Sequence, residues 1–397
     1  MMHNYCKAIA GMAIGLGLIL VPASGSAGAR PAVRKTKTLK VGPNRKYARL
    51  SLALRDARDG DVVEIDPTGE YDGDVCLIGP NNLTIRGTGK SRAKFPAAGK
   101  DYGGKAIWVI RGANVTVENI EFSGARVRDR NGAGIRAEGK GLTVRNCKFH
   151  DCEDGILGGA GEMLIEYCEF SECGLDGRSH NLYISSIDKL TFRYNYSHHA
   201  KVGHLLKSRA RENRIFYNYF TDGKKGSSSY VINLPNGGRS FIVGNILVQG
   251  PRTQNSTMIA YGEEGVKYAD SELYVVNNTL INNRHTGVFV NVRKTPANFN
   301  CILANNIFVG KGAVCTFTGA KKVHNYVGSK PCFVDRTAGD FRLTVKSPCV
   351  DRGFGIRAVG RVPLMPTRHY AHPNSGRPRP KDDRIDIGAF EYDRRSK

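Results

Sequence analysis

No apolar run in this 397-residue sequence reaches the ~20 residues that a membrane-spanning helix needs. The longest, Ile9 to Val21, is about 13 residues. No two cysteines stand in Cys-x-x-Cys spacing, which removes the common zinc-ribbon and dithiol motifs. Aromatic residues are only 9% of the chain, and carboxylates are scarce: 36 Asp and Glu face 59 Lys and Arg. Long helices are not indicated either, because 47 glycines suit many short strands joined by turns.

What stands at the start of the chain assigns a compartment. Lys7 is the only charged residue before Arg30, the apolar run follows it, and Ala27-Gly28-Ala29 supplies the small residues of a cleavage site. Residues 1–29 therefore read as a secretory signal peptide, and the mature protein as periplasmic or extracellular, without a membrane span. The formal charge is +23, and +22 once Lys7 is removed. A basic protein outside the cytoplasm has little access to nucleic acid, so the expected partner is an anionic polysaccharide. The other reading is that the charge serves solubility or loose attachment to an anionic envelope. A monomer is expected.

A repeat organises the rest. VENIEF (from Val117), VRNCKF (Val144), IEYCEF (Ile165), FRYNYS (Phe192), IFYNYF (Ile215), IVGNIL (Ile242), VVNNTL (Val275) and LANNIF (Leu303) align in register. Their fourth positions are Ile120, Cys147, Cys168, Asn195, Asn218, Asn245, Asn278 and Asn306, with steps of 27, 21, 27, 23, 27, 33 and 28 residues. Such periods mark a solenoid, and period-2 apolar alternation within each segment marks strands with one side inward. The fold class is therefore all-β, a right-handed parallel β-helix. Stacked coils place equivalent residues ~4.8 Å apart, so the asparagines are expected to form a buried ladder of amides. Cys147 and Cys168 would neighbour each other in it, as would Cys152 and Cys173, either as disulfides or as buried thiols. Steps vary because corner loops tolerate insertion, and the longest, carrying GEEGVKYADSE, is the expected wall of a groove.

TLKVGPNRKYARLSLALRDARDGDVVEIDPTGEY resembles the opening of pectate-lyase-like β-helices, where a strand and a short amphipathic helix plug the first coil. Leu50, Leu52, Leu54 and Ala57 lie on the helical stretch, and Gly60 ends it. SPCVDRG and RIDIGAFEY are similar to closing segments of bacterial β-helix proteins, and Arg357–Asp383 between them reads as an irregular tail. The resulting division is 30–65 cap, 66–354 β-helix and 355–397 C-terminal tail.

The densest polar region falls on three consecutive coils: GRSHNLYISS, HHAKVGHLLKSRARENRIFYN and SSSYVINLPNGG. With Leu206 and Ser208 inward, Lys207 and Arg209 face out together, and the same parity presents Tyr183 and Asn233. The group suits β-elimination from a uronate: a base for the proton beside the carboxylate, a cation for that carboxylate, an acid for the leaving oxygen. Lys207 is the candidate base, its charged form disfavoured by Arg209, Arg211 and Lys201. Arg209 would hold the carboxylate bidentately, and Tyr183, His180 or His204 would donate the proton. Asn233, Asn181, Arg239 and Arg136 are the candidate substrate contacts.

LLKSRARENRIFYNYF is similar to the Lys-Ser-x-x-Asn segment of the chondroitinase B and alginate lyase family. That resemblance implies a base at Lys207, with Asn213 and Asn218 as turn residues. It also brings calcium into question: the family's acidic ligands precede the lysine, and here HAKVGH has no carboxylate. No cofactor and no metal is therefore expected. The next coil offers Asn233 where an arginine would assist, with Arg239 beyond the turn. Other readings use the same scaffold. Asp151, Glu172 and Asp222 hold equivalent places, with His199 between the last two, and two such acids could serve an inverting hydrolase. His198, His199, His204 and His180 are better suited to hydrogen bonding or proton transfer than to a metal, since neighbours on a strand face opposite ways. Uronate epimerisation, or glycan binding without catalysis, completes the alternatives.

Overall fold

Three stacks of short parallel strands carry the chain upward, one strand of each stack per coil. The computed structural model describes residues 34–381 and 384–394, so the signal-peptide assignment lies outside the described residues. Thr36–Lys397 form one compact unit. The first stack includes Leu182–Ile184, Leu206–Ser208 and Ile232–Leu234, and the second Lys189–Arg193, Glu212–Phe216 and Arg239–Val243. The third includes Tyr196–His198, Tyr219–Thr221 and Ile246–Gln249. Each strand pairs in parallel with its counterparts one coil away: Tyr183 with Lys207, Lys207 with Asn233.

Alternation decides what lies inside. In the second stack Phe192, Ile215, Ile242 and Val275 are fully buried. In the third, Phe95, Phe122, Phe149 and Phe170 stack through the interior with centroids 6.3, 5.0 and 4.9 Å apart. Each such ring contributes roughly 0.5–1.5 kcal/mol beyond its area.

The bend between second and third stacks holds the ladder. The backbone N–H and Nδ2 of Asn195 both donate to Oδ1 of Asn218, at 2.9 and 3.1 Å. Asn218 donates likewise to Asn245, Asn245 to Asn278, Asn278 to Asn306, and Asn306 to a further rung, Asn325. The residue before each rung lies in the left-handed region: Tyr194 (φ 58°), Tyr217 (55°), Asn277 (51°) and Asn305 (53°), with Gly244 (66°) taking this position once. Each interior rung thereby pairs its backbone N–H, its Nδ2 and its Oδ1 in a buried site, which is why short amides stand there. Cys147 and Cys168 continue the row with sulfur, the Cys147 N–H donating to Cys168 Sγ at 3.4 Å. Both thiols are buried and free, as are those of Cys152 and Cys173.

At the N-terminal end, Leu50–Asp56 forms the one helix among the described residues. Its first N–H groups are capped from afar: Leu50 N and Ser51 N donate to Asp74 at 2.7 and 3.3 Å. Leu50, Ala53 and Ala57 are buried against the first coil, whereas Leu52 faces solvent at 38% exposure. That is the i, i+3, i+7 stripe of a helix; position 52 falls off it. The segment after 355 differs from an irregular tail. Arg368–Ala371 and Ser375–Pro378 pair as an antiparallel hairpin. It returns along the solenoid, Thr367 N reaching Tyr217 Oη at 3.2 Å and Asn374 the Tyr167 carbonyl at 2.5 Å. RIDIGAFEY buries Ile387, Ala389 and Phe390, and its Glu391 pairs with the buried Arg379, which precedes the segment, at 2.7 Å.

Candidate active-site groove

The outward positions of the first stack form one row, rung by rung: Val109, Arg136, Leu157, Tyr183, Lys207, Asn233, Ala260 and Asn291. Leu206 and Ser208 are buried while Lys207 between them is partly exposed, so the parity read from sequence holds. Ser208 turns inward to Asn213 at 2.6 Å, and Asn213 Nδ2 bonds the Ala210 carbonyl at 3.1 Å, fixing the bend that follows.

Arg209, just past that strand, is the centre of the groove. Its Nε donates to Tyr183 Oη at 2.9 Å and another nitrogen to Asn236 Oδ1 at 2.6 Å. A third nitrogen lies 2.6 Å from Glu264, whose other oxygen is 3.4 Å from Lys207 Nζ. The ammonium of Lys207 sits 4.8 Å from the Tyr183 ring centroid. Burial alone would raise the Glu264 carboxyl, but Arg209 and Lys207 hold it below its usual range. Glu264 belongs to the longest corner loop, which does form a wall: Glu264 N and Lys267 N bond the Pro235 and Asn236 carbonyls at 2.9 Å each. Tyr268 Oη bonds the Arg209 carbonyl at 3.0 Å. Glu264, Asn236 and Tyr268 were not singled out from sequence; the adjacent Glu263 and Glu264 of GEEGVKYADSE, in the longest step, were the available signal.

The expected crowd of cations around Lys207 is not assembled. Lys201 lies at another corner with Asp151 and Glu172, at 3.1 and 3.4 Å. Arg211, past the bend, pairs with Asp270 at 3.0 Å. Lys207 instead has one guanidinium and one carboxylate beside it.

His180 and His204 belong to a second ladder. Their rings stack at 4.3 Å, and Tyr230 follows at 4.9 Å. Asp154 Oδ1 accepts from His180 N at 2.8 Å, His180 Nδ1 from His204 N at 3.1 Å, and His204 Nδ1 from Tyr230 N at 3.2 Å. Nδ1 is therefore the bare nitrogen in each, and Nε2 carries the proton. Burial, and after it His204, Lys207 and Arg209, pushes His180 well below its usual value; burial and then Lys207 push His204 down to about 3. Neither is an imidazolium at ordinary pH, which leaves Tyr183 as the better-placed proton donor.

Two proposed substrate contacts are placed elsewhere. Asn181 is fully buried, and its side chain serves Phe170, Cys173, Ser197 and His198 at the corner. Arg239 begins the next second-stack strand, where it pairs with Glu212 and Glu272 at 3.1 and 3.6 Å. Asn233 is in the row beneath the loop, 3% exposed. Arg136 stands two rungs from Tyr183, and one of its terminal nitrogens is buried without a partner.

The carboxylates of the hydrolase reading do not face the groove as a pair. Asp151 is engaged by His150 and Lys201 at 2.8 and 3.1 Å. Asp222 caps Ser228 N at 3.2 Å, and burial raises it to about 6. His198 stacks on Tyr196 at 4.0 Å in the third stack, away from His180 and His204. Calcium fits this donor set poorly: Glu264 is taken by two cations, and Glu263 by Tyr230 and Asn291 at 2.6 and 3.2 Å.

Residues 81–247 match the family described as right handed beta helix region. The chain is a right-handed parallel β-helix. The pectate lyase Pel9A has the same fold, at 13% identity and a TM-score of 0.61, over 91% of this chain and 98% of that one. An alginate lyase from Paenibacillus sp. str. FPU-7 is also similar at 13% identity and TM-score 0.41, covering 74% of this chain and 99% of that one. The PL6 family alginate lyase AlyGC gives 14% and 0.39, over 87% and 55% respectively. No curated protein matches in sequence. No helix among the described residues is long and apolar enough to cross a membrane.

Proposed function

We propose that the protein is an exported polysaccharide lyase acting on a uronate-containing glycan by β-elimination. The observation that carries this reading is the Tyr183–Arg209–Lys207 cluster at the floor of the groove, closed by the carboxylate of Glu264. A carboxylate already occupies the place between guanidinium and ammonium, so the site has the charge and geometry to take that of a uronate. The known activity of Pel9A on the same fold is consistent with it.

In the proposed reaction the substrate carboxylate displaces Glu264 and binds Arg209, which neutralises charge as the carbanion develops. Lys207, once it has released Glu264 and given up its own proton to solvent, accepts the proton from the carbon beside the carboxylate. The electron pair forms a carbon–carbon double bond and expels the glycosidic oxygen. Tyr183 protonates that oxygen; because its Oη accepts from Arg209 Nε, its own O–H is free to donate. Arg136, two rungs or ~10 Å along the row, would take a second carboxylate of the polymer. Epimerisation would share the first step and differ in returning the proton.

The test is to incubate the purified protein with a panel of acidic polysaccharides and follow ultraviolet absorbance of unsaturated ends. New absorbance supports the lyase; reducing ends without it would replace this reading with hydrolysis, and altered uronate composition without cleavage with epimerisation.

A further inference from the structure

A second cavity lies on another face of the same coils. Its volume is about 510 Å³, and the third stack's outward Tyr196 and Tyr219 form one wall. Phe341 and the returning C-terminal segment, with His369, Tyr370 and Arg377, form the other. Tyr196 and Tyr219 stack at 5.3 Å, and Tyr370 and Phe341 meet Tyr219 edge-on at 5.7 and 6.2 Å. The result is a firm aromatic platform, large enough for one or two sugar rings and within the usual size of a ligand pocket, roughly 300–1,000 Å³.

Two polar groups give the cavity a chemistry. His369 donates through Nε2 to the Pro378 carbonyl at 3.0 Å, which leaves Nδ1 as a lone-pair acceptor. That Nδ1 is buried without a partner. Burial, and then Arg379, pushes the imidazole down to about 4, so it stays a neutral acceptor at ordinary pH. At the rim, Arg342 is committed to Asp340 at 2.6 Å. Arg377 is exposed and pairs with no carboxylate among the described residues.

We infer that this cavity is a non-catalytic binding site for an acidic sugar residue, its ring on Tyr196 and Tyr219, a hydroxyl on His369 Nδ1 and its carboxylate on Arg377. An orphan acceptor calls for an O–H donor, an aromatic face for C–H groups, and a guanidinium with no carboxylate partner among the described residues for an anion. An apolar ligand would leave the acceptor and the cation unused. Bound on a face away from Lys207, a glycan chain would be retained between catalytic encounters, raising its effective concentration at the groove. The inference stands whether or not the groove cleaves.

The experiment is saturation-transfer NMR and titration with sodium D-galacturonate, sodium D-glucuronate and the neutral methyl galactoside, on wild-type protein and the variants His369→Leu, Arg377→Gln and Lys207→Ala. At least one hexuronate should bind saturably at millimolar concentration, and Lys207→Ala should bind it equally well. Arg377→Gln should weaken that hexuronate about tenfold and leave the neutral glycoside unchanged, and His369→Leu should weaken both about tenfold. Absence of saturable hexuronate binding, or binding that Lys207→Ala abolishes while Arg377→Gln leaves it intact, would overturn the inference. Arg377 is exposed, so its variant keeps the test valid should His369→Leu fold poorly.

Discussion

The carboxylate of Glu264 lies 2.6 Å from the guanidinium of Arg209 and 3.4 Å from the ammonium of Lys207, from a loop anchored to the preceding coil. The groove is thus occupied by an internal anion that a polyanionic substrate must displace.

Glu264→Gln removes that competitor while preserving shape. The pair is partly exposed, so its loss should lower KM by up to about fivefold, the worth of ~1 kcal/mol, with little change in kcat. A collapse of kcat would instead place Glu264 in the reaction itself. Steady-state kinetics on short and long substrates decide between these.

Lys207→Arg retains positive charge and cannot release a proton at ordinary pH. Turnover should fall about 10²–10⁴-fold, as for loss of a general base, with KM nearly unchanged. Tyr183→Phe should also lower kcat, whereas Arg209→Ala should damage KM and kcat together. Near-normal turnover by Lys207→Arg would limit that residue to attracting the polyanion.

Acid should unfold the protein through its second ladder. His204 has its folded value at about 3, below the 6.5 of a free imidazole, so the unfolded chain binds more protons between these limits. Stability from this group is intact above pH 6.5 and is lost as pH falls toward 3. Asp222, raised from 3.8 to about 6, acts oppositely over its own range and offsets part of the slope. His204→Phe should be less stable at neutral pH and flatter in its acid profile, measured as melting temperature against pH. Its turnover per folded molecule should persist; abolition of turnover in well-folded variant would return His204 to the catalytic group.

The asparagine ladder should be energetically unforgiving. Asn245→Leu leaves the Asn218 N–H and the Ile215 carbonyl unpaired inside the bend. Denaturant unfolding should show a loss of about 1–3 kcal/mol for each group. Cys168→Asn, which extends the row with the residue it otherwise uses, should cost far less.

Periodicity made the solenoid legible, because a coil that must bury one side repeats its apolar pattern whatever else changes. The ladder was visible as Asn195, Asn218, Asn245, Asn278 and Asn306, although Asn325 in HNYVG was passed over. Tyr183, Lys207 and Asn233 followed from period-2 parity alone. Parity says nothing about corners, and there the reading failed: Asn181 is consumed by the corner's own backbone, and His180 and His204 accept N–H groups from the next coil. Arg239, read as a substrate contact beyond the turn, is spent on Glu212 and Glu272 in the second stack. Glu264 was hidden for a related reason, since its partners come from a preceding coil and only loop length hinted at the approach. The hairpin at 368–378 could not be read from composition, because Pro, Arg and Gly signal turns without saying what the turns connect.

Every interior rung of the asparagine row gives two hydrogens forward and takes two from behind, so one rung is chemically interchangeable with the next. A whole coil could be duplicated or excised and the row would close again without an unpaired amide. The length of the groove is therefore a quantity that evolution can adjust separately from its chemistry, lengthening the reach along a polymer while Tyr183, Lys207 and Arg209 stay together on their two coils.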